Sequence, residues 1–386
     1  MACKLAQRGH DVTVVCGSGT FAATGLEGPF VGGRREGQVS GFRVIELELP
    51  YANHYGFIRR TIVFTKFALQ SIIIALRDSP DLVFATSTPL TAGIPGIFSR
   101  WLKRTPFVFE VRDLWPELPR EMGVIKNPVI LLLMGWLEFV SYHSANRCIG
   151  LAPGIVEGIV RRGIPREKVA MIPNGCDLYL FDSAEYPQDR SHLPESLRGD
   201  VFVAAYTGTH GIANGLDAVL DALAELKGRG RTDIYVVFVG DGRLKAELQE
   251  RAEREDLNAI YLESIPKEEV AALLANVDAG LMVLADVPAF YHGTSPNKFF
   301  DYIAASLPVI TNYPGWLAEM IEEYECGIAV PPQGPSAFAD ALQVLADNRA
   351  TARTMGLRAR ALAEERFSRD VLAEDFVAVI ESIGSQ

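Results

Sequence analysis

Apolar positions in this chain fall into short runs rich in β-branched residues, separated by stretches in which they recur every three or four residues. The alternation occurs in two series. In the first, runs at 12–16, 43–49, 82–85, 107–111, 148–151 and 169–172 read as strands, with helices near 57–77, 89–103, 128–144 and 153–162. In the second, strands at 202–206, 235–239, 259–262, 280–284, 309–311 and 327–330 alternate with helices near 215–228, 243–255, 267–275, 296–305 and 315–323. Strands linked through helices build parallel sheets, so the pattern predicts an α/β protein of two Rossmann-like domains. The polar stretch 182–199, with Pro187 and Pro194, reads as a linker and hinge between domains at 1–181 and 200–365. Residues 335–386 read as helices only. In such sheets ligands bind at the carboxyl ends of strands, here in a cleft faced by the two halves.

Composition narrows the class. A chain of 386 residues with 48% hydrophobic content can bury a large core, which excludes disorder. Cys3, Cys16, Cys148, Cys176 and Cys326 are scattered without CxxC pairs, which argues against a disulfide framework or zinc site and for a reducing compartment. Lys4, Gln7, Arg8, His10 and Asp11 stand where a secretory signal would be apolar, so export is not expected. The net charge of -11 is unevenly shared: residues 1–173 carry 20 Lys+Arg against 14 Asp+Glu, or +6, and the rest carries -17. A basic first half either faces an anionic surface such as phospholipid headgroups or reflects ordinary surface variation. No nucleic-acid partner is expected. No apolar run reaches the roughly 18 to 20 residues of a membrane span, and 128–142 contains Glu138. Stretch 57–76 combines Arg59, Arg60 and Lys66 with Phe57, Ile58, Ile62, Val63, Phe64, Phe67 and Ile72–Ile74. That composition suits a helix lying in a membrane interface or one packed in the first domain's core.

The segment Gly293-Thr-Ser-Pro-Asn-Lys-Phe-Phe-Asp301, running on to Ile310, joins phosphate chemistry to a carboxylate. Pro296 suits an early helical turn, where free backbone N–H groups favour an anion, and Lys298 adds positive charge beside them. Asp301, three residues on, lies on a neighbouring helical face where it can accept from a ribose diol; alternatively the two form an i,i+3 surface pair. In the first half, Arg112 and Asp113 follow the strand 107–111 and point toward the cleft, where Asp113 can take a proton from an acceptor hydroxyl. The alternative is that Asp113 caps the next turn and Arg112 pairs with Glu110 or Glu117. Trp115 and Pro116 form either an acceptor wall or a buried anchor.

Together with Arg8-Gly-His-Asp-Val-Thr-Val14, Phe109-Glu-Val-Arg-Asp-Leu-Trp-Pro-Glu117, Ile172-Pro-Asn-Gly-Cys-Asp177, Tyr206-Thr-Gly-Thr-His-Gly-Ile-Ala-Asn-Gly-Leu-Asp217 and Val239-Gly-Asp-Gly242, this segment resembles retaining glycosyltransferase family 4. The likeness is to its bacterial surface-polysaccharide branch with the L-fucosamine transferases, and it covers nearly the whole chain. It implies the two-domain GT-B fold, a terminal helix at 366–386 crossing back to the first domain, and an EC 2.4 hexosyltransferase activity. The family carries two glutamates seven residues apart, one on the donor sugar and one on the ribose; here they are Gly293 and Asp301, so only the ribose role carries over. The family's diphosphate-holding Arg and Lys correspond to Thr209 and Asn214, which shifts weight to Lys298, His210 and the Gly208–Gly211 backbone. Gly240, Asp241, Ser295, Pro296 and Asn297 complete the implied donor set. Arg112 and Asp113 lie near the family's active-site histidine.

The implied reaction is retaining transfer from a nucleoside diphosphate sugar, with UDP and an N-acetylated 6-deoxy sugar as the expected donor. The acceptor is a polyprenyl-linked saccharide at the inner face of the cell membrane, where the basic first domain makes the protein peripheral. Positive charge at the leaving diphosphate is the main requirement, and Lys298 with the helix N-terminus supplies it. With no Asp-x-Asp pair, no metal or other cofactor is expected. The family begins with a strand and Gly-rich loop about 20 to 30 residues before the helix at 2–8, so that unit is expected to be missing here. A nucleotide-sugar 2-epimerase of the same architecture and a non-catalytic binding protein are the alternatives.

Overall fold

The structure is a computed structural model that describes residues 1–19, 24–51, 55–182, 185–191 and 193–384. They form two compact units, Met1–Ile172 with Ala373–Gln386, and Pro173–Leu372.

In the first unit α1 (Ala2–Gln7) leads to β1 (Thr13–Gly19), which pairs in parallel with β3 (Phe42–Tyr51). Between them β2 (Arg34–Val39) runs antiparallel to β3 through a two-residue turn, Ser40–Gly41, with φ of 49° and 87°. Both turn residues are left-handed, as a tight hairpin requires. The sequence pattern gives no strand here, because Arg34-Arg-Glu-Gly-Gln-Val39 has no apolar run; its backbone ladder and the pairs Arg35–Glu46 and Arg43–Glu36 hold it. A second sheet stacks β4 (Val83–Thr86), β5 (Phe107–Val111), β6 (Arg147–Gly150) and β7 (Val169–Met171) in parallel and in chain order. Around the sheets lie α2 (Phe57–Asp78), α3 (Ile94–Lys103), α4 (Glu117–Glu121), α5 (Pro128–Ser144) and α6 (Pro153–Arg161).

Helix α2 packs one face on the first unit's core and leaves apolar residues exposed on the other. Val63, Phe67 and Ile74, on one face, pack on Ile45, Leu47 and Leu49 of β3, while Ile58, Ile62, Leu69 and Ile73 stay exposed. The side chain of Phe57 lies outside the described residues. Helix α3 packs between α2 and α5 and exposes Phe98, Trp101 and Leu102; α5 exposes Val129, Leu132, Leu133, Trp136 and Phe139. Among the described residues no helix is long and apolar enough to cross a membrane.

The second unit holds one parallel sheet of β8 (Phe202–Thr207), β9 (Ile234–Val239), β10 (Ala259–Leu262), β11 (Ala279–Met282), β12 (Val309–Thr311) and β13 (Gly327–Ala329), ordered β10-β9-β8-β11-β12-β13. This is the doubly wound order, and it reverses between β8 and β11, where a crevice opens at the strands' carboxyl ends. The helices are α7 (Asp217–Gly228), α8 (Lys245–Arg254), α9 (Lys267–Leu274), α10 (Pro288–Gly293), α11 (Asn297–Ala304), α12 (Trp316–Glu323), α13 (Pro335–Asp347) and α14 (Arg349–Leu362). Helix α11 lies tight on β11: a Cβ on Gly280 would sit 2.4 Å from the Tyr302 ring. That approach brings Tyr302 Oη within 2.8 Å of the Thr207 N–H at the end of β8, which fixes α11 over the crevice.

The stretch 182–199 differs from the expected linker. Leu193 and Leu197 are buried, and the Arg190 guanidinium donates to the Leu197, Gly199 and Val201 carbonyls and to Asp278 of the second unit. The two units divide at Ile172/Pro173. The terminal helix α15 (Arg369–Gly384) contributes Ala373 onward to the first unit.

Candidate functional site

Two glycine turns floor the crevice. The chain leaves β8 at Gly208 (φ 148°) and β9 at Gly240 (φ 140°). A Cβ on Gly240 would lie 2.1 Å from the Gly208 carbonyl oxygen, and one on Gly242 would lie 2.5 Å from that of His210, so only glycine lets the turns stack. His210 N–H donates to the Asp241 carbonyl (2.9 Å) and Leu244 N–H to that of His210 (3.0 Å). The exposed Asp241 carboxylate accepts from the Gly242 N–H (2.7 Å), closing its own turn.

His210 is placed differently from expectation. Its side chain is 0% exposed, packed among Tyr206, Phe238 and Tyr261, and neither ring nitrogen has a partner among the described residues. Burial, and then the Lys245 charge, push its pKa down to about 4. It is a neutral core histidine that offers the crevice only its backbone. Thr209 and Asn214 are likewise not direct stand-ins for cations. The Thr209 carbonyl accepts from Tyr206 Oη (2.9 Å) and Asn214 Nδ2 (2.7 Å), and Asn214 Oδ1 accepts from Lys298 Nζ (2.9 Å). Gly211 opens the short 3-10 turn that delivers Asn214.

Lys298 is the cation that the described contacts place beside Asn214 and Tyr206. Its ammonium reaches Asn214 Oδ1 and Tyr206 Oη (3.2 Å) and lies 4.5 Å from the Tyr206 ring centroid. It forms no ion pair with any described carboxylate, and burial pushes its pKa down to about 7. Pro296 is the N-cap of α11, one position before the expected helical turn, and Asn297 is exposed at the first helical position. No side chain caps this terminus; the Phe299 N–H donates to the Pro296 carbonyl (3.1 Å), which leaves the N–H groups of Asn297 and Lys298 for an anion. A Cβ on Gly293, at the end of α10, would meet nothing within 4 Å. Ser295 faces away from a ligand role: its Oγ accepts from Asn174 N–H (2.9 Å) and its carbonyl from Asn174 Nδ2 (2.5 Å).

Asp301 does not pair with Lys298. Its Oδ1 lies 3.3 Å from Lys267 Nζ, and Lys267 also meets Asp177 (2.9 Å), which in turn pairs with Arg369 (2.6 Å). Burial raises the Asp301 pKa, against the lowering effect of Lys267. Sequence reasoning passes over Tyr206 and Lys267, because a tyrosine inside a strand and a lysine at the start of a charged helix carry no local signal of a site.

In the first unit Asp113 accepts from Thr88 Oγ1 (3.2 Å), and burial raises its pKa while Arg112 lowers it. Arg112 pairs with neither Glu110 nor Glu117: Glu110 accepts from Thr86 (2.7 Å) and Glu117 faces Arg161 (3.9 Å). Thr88 has φ 114°, strained for a β-branched residue, of the kind that clusters at functional sites. Pro116 is buried and Trp115 Nε1 is enclosed without a partner.

Residues 1–175 match the family model described as "Glycosyl transferase 4-like domain", and residues 201–348 that described as "Glycosyl transferases group 1". The chain is 28% identical over 253 residues, 64% of its own length, to D-rhamnosyltransferase WbpZ of Pseudomonas aeruginosa. It is 24% identical over 255 residues, 66% of its length, to O-antigen chain mannosyltransferase C of Escherichia coli. These stretches span 61% and 65% of the two relatives, less than two thirds of either. Among solved structures, Anabaena Alr3699/HepE in complex with UDP superposes with a TM-score of 0.66 over 82% of each chain at 18% identity, a likeness of fold.

Proposed function

We propose that this chain, which matches a glycosyl transferase 4-like domain in its first half and a group 1 domain in its second, is a glycosyltransferase that moves a sugar from a nucleoside diphosphate to an acceptor hydroxyl. The observation that carries this reading is Lys298: an ammonium without a carboxylate partner among the described residues, beside the uncapped N-terminus of α11 at the reversal point of the sheet. A diphosphate supplies the charge that this arrangement lacks. During transfer the bond from the sugar's C1 to the diphosphate breaks and the acceptor oxygen bonds to C1. The electron pair left on the β-phosphate is then stabilised by Lys298 and the helix N–H groups. Positive charge at the leaving group suits a retaining reaction that uses no metal.

The nucleobase is read as uracil, since a protein of this fold is solved with UDP, and a 6-deoxy donor sugar accords with a relative that transfers D-rhamnose. Asp301 takes the ribose diol, and Arg112 and Asp113 are assigned to the acceptor, with Asp113 receiving the hydroxyl proton. The acceptor is read as a polyprenyl-linked saccharide of a surface polysaccharide, in keeping with a relative named for the O-antigen chain. The exposed apolar residues of α2, α3 and α5, with Arg59, Lys66, Lys103 and Lys126 among them, suit docking on an anionic cytoplasmic membrane face.

The test is donor turnover in EDTA with and without polyprenyl-linked saccharide carried in anionic vesicles. Transfer that needs both substrates, and that a Trp101→Asp/Trp136→Asp variant loses for vesicle-borne acceptor but keeps for detergent-dispersed acceptor, is the expected result. Isomerised donor without acceptor marks an epimerase, and no turnover at all marks a binding protein.

A further inference from the structure

The carboxylate assigned to the ribose sits in a charge network that the donor reading leaves unused. Asp301 is held between two elements that carry opposite charges toward it. From α9 comes Lys267, 3.3 Å from Oδ1; from the loop after β7 comes Asp177, itself paired with Lys267 and with Arg369 at the start of α15. The remaining neighbours are the Cys176 thiol, buried and donating to the Phe367 carbonyl, and Tyr302, committed to Thr207. Lys267 is held in place independently of Asp301, by Asp177 and by the face of Phe181 (5.5 Å). Asp301 Oδ2 takes no hydrogen bond from the described residues, so one oxygen is pinned and the other is free.

We propose that Lys267 is a positioning residue: it keeps the Asp301 carboxylate ionised and turned so that its free oxygen accepts from the donor's ribose hydroxyls, and thereby sets the acid limit of nucleotide binding. The assignment rests on the reading of Asp301 as the ribose acceptor. The physical reason is that a half-buried carboxyl facing a second carboxylate tends to take up a proton, and a protonated carboxyl loses acceptor capacity toward a diol. Burial and Asp177 act in that direction and Lys267 against it. The sign follows: affinity gained through the diol is present above the Asp301 pKa and is lost as pH falls through it. Removing Lys267 moves that loss to higher pH, and removing the Asp177 charge moves it to lower pH.

The experiment is calorimetric titration of UDP and of 2′,3′-dideoxy-UDP into the full chain in EDTA, between about pH 3 and pH 8 to bracket carboxyl titration. The variants are Lys267→Met, Lys267→Arg and Asp177→Asn, each checked for folding by thermal melting. The expected result is a preference for UDP over its dideoxy analogue that disappears toward acid. It disappears at higher pH in K267M, near the original pH in K267R and at lower pH in D177N. The same acid limit in K267M and the original chain overturns the role of Lys267 while leaving the donor site intact. Failure of the unaltered chain to bind UDP or GDP overturns both readings, and should K267M not fold, an unmoved limit in D177N decides against the proposal.

Discussion

Lys298 is unusual for a lysine in having two neutral oxygens and an aromatic face around it in place of an acid. Its pKa falls from 10.5 to about 7 because burial opposes the charge. A bound diphosphate reverses that balance and raises the pKa, so binding and protonation reinforce each other. The Lys298 contribution to nucleotide affinity is then full below pH 7 and declines above it, roughly tenfold per unit until the bound-state pKa is reached. Calorimetry of UDP above pH 7 should show that decline in the original chain, no decline in Lys298→Arg and uniformly weak binding in Lys298→Ala. A flat profile in the unaltered chain would mean that the ammonium does not meet the phosphates. His210 shows the limit of reading single residues. Its place in Thr-Gly-Thr-His-Gly looks like a phosphate contact, but the side chain at that turn points into the sheet's core among Tyr206, Phe238 and Tyr261. Only its backbone faces the crevice.

Elements were legible where their hydrophobic period was. Strands 107–111, 259–262 and 309–311 and helix 128–144 have the same bounds in the structure as in the apolar pattern. Strand β2 and helix α10 were not legible, the first because it is polar and held by a hairpin turn, the second because six residues give too little period. The stacked turns at Gly208 and Gly240 were visible only as glycines; the reason for them is the 2.1 Å approach that no Cβ survives. Gly240→Ala combines that clash with a φ of 140° and is expected to cost at least about 2 kcal/mol and to abolish UDP binding. Gly293→Ala, whose Cβ meets open space, is expected to leave the melting temperature unchanged. Thermal melts and UDP titration of both variants check the contrast. Equal stability in the two would show that the turns can separate, and the crevice floor would then not be fixed by their contact.

At the scale of the whole chain, two α/β units were readable from alternation alone, whereas the order of strands in the second, with its reversal between β8 and β11, was not. The packing of Arg190, Leu193 and Leu197 within the second unit was not, since Arg190 finds its carbonyl and Asp278 partners only in three dimensions. The charge asymmetry acquires a physical reading once the exposed apolar residues are located. Leu132 (73% exposed), Trp101 (60%) and Trp136 (61%) belong to the basic unit, whereas the acidic unit carries the crevice whose cation is Lys298. The proposed division of labour between an acceptor-side and a donor-side unit accords with that contrast. Its donor half is the central claim, and calorimetric titration of UDP and GDP in EDTA into the chain and its Lys298→Ala and Asp301→Ala variants tests it most directly. The account predicts UDP binding without metal, weakened at least about tenfold by either substitution, as loss of a charged hydrogen bond entails. Absence of nucleotide binding by the folded chain, or binding indifferent to both substitutions, would contradict it.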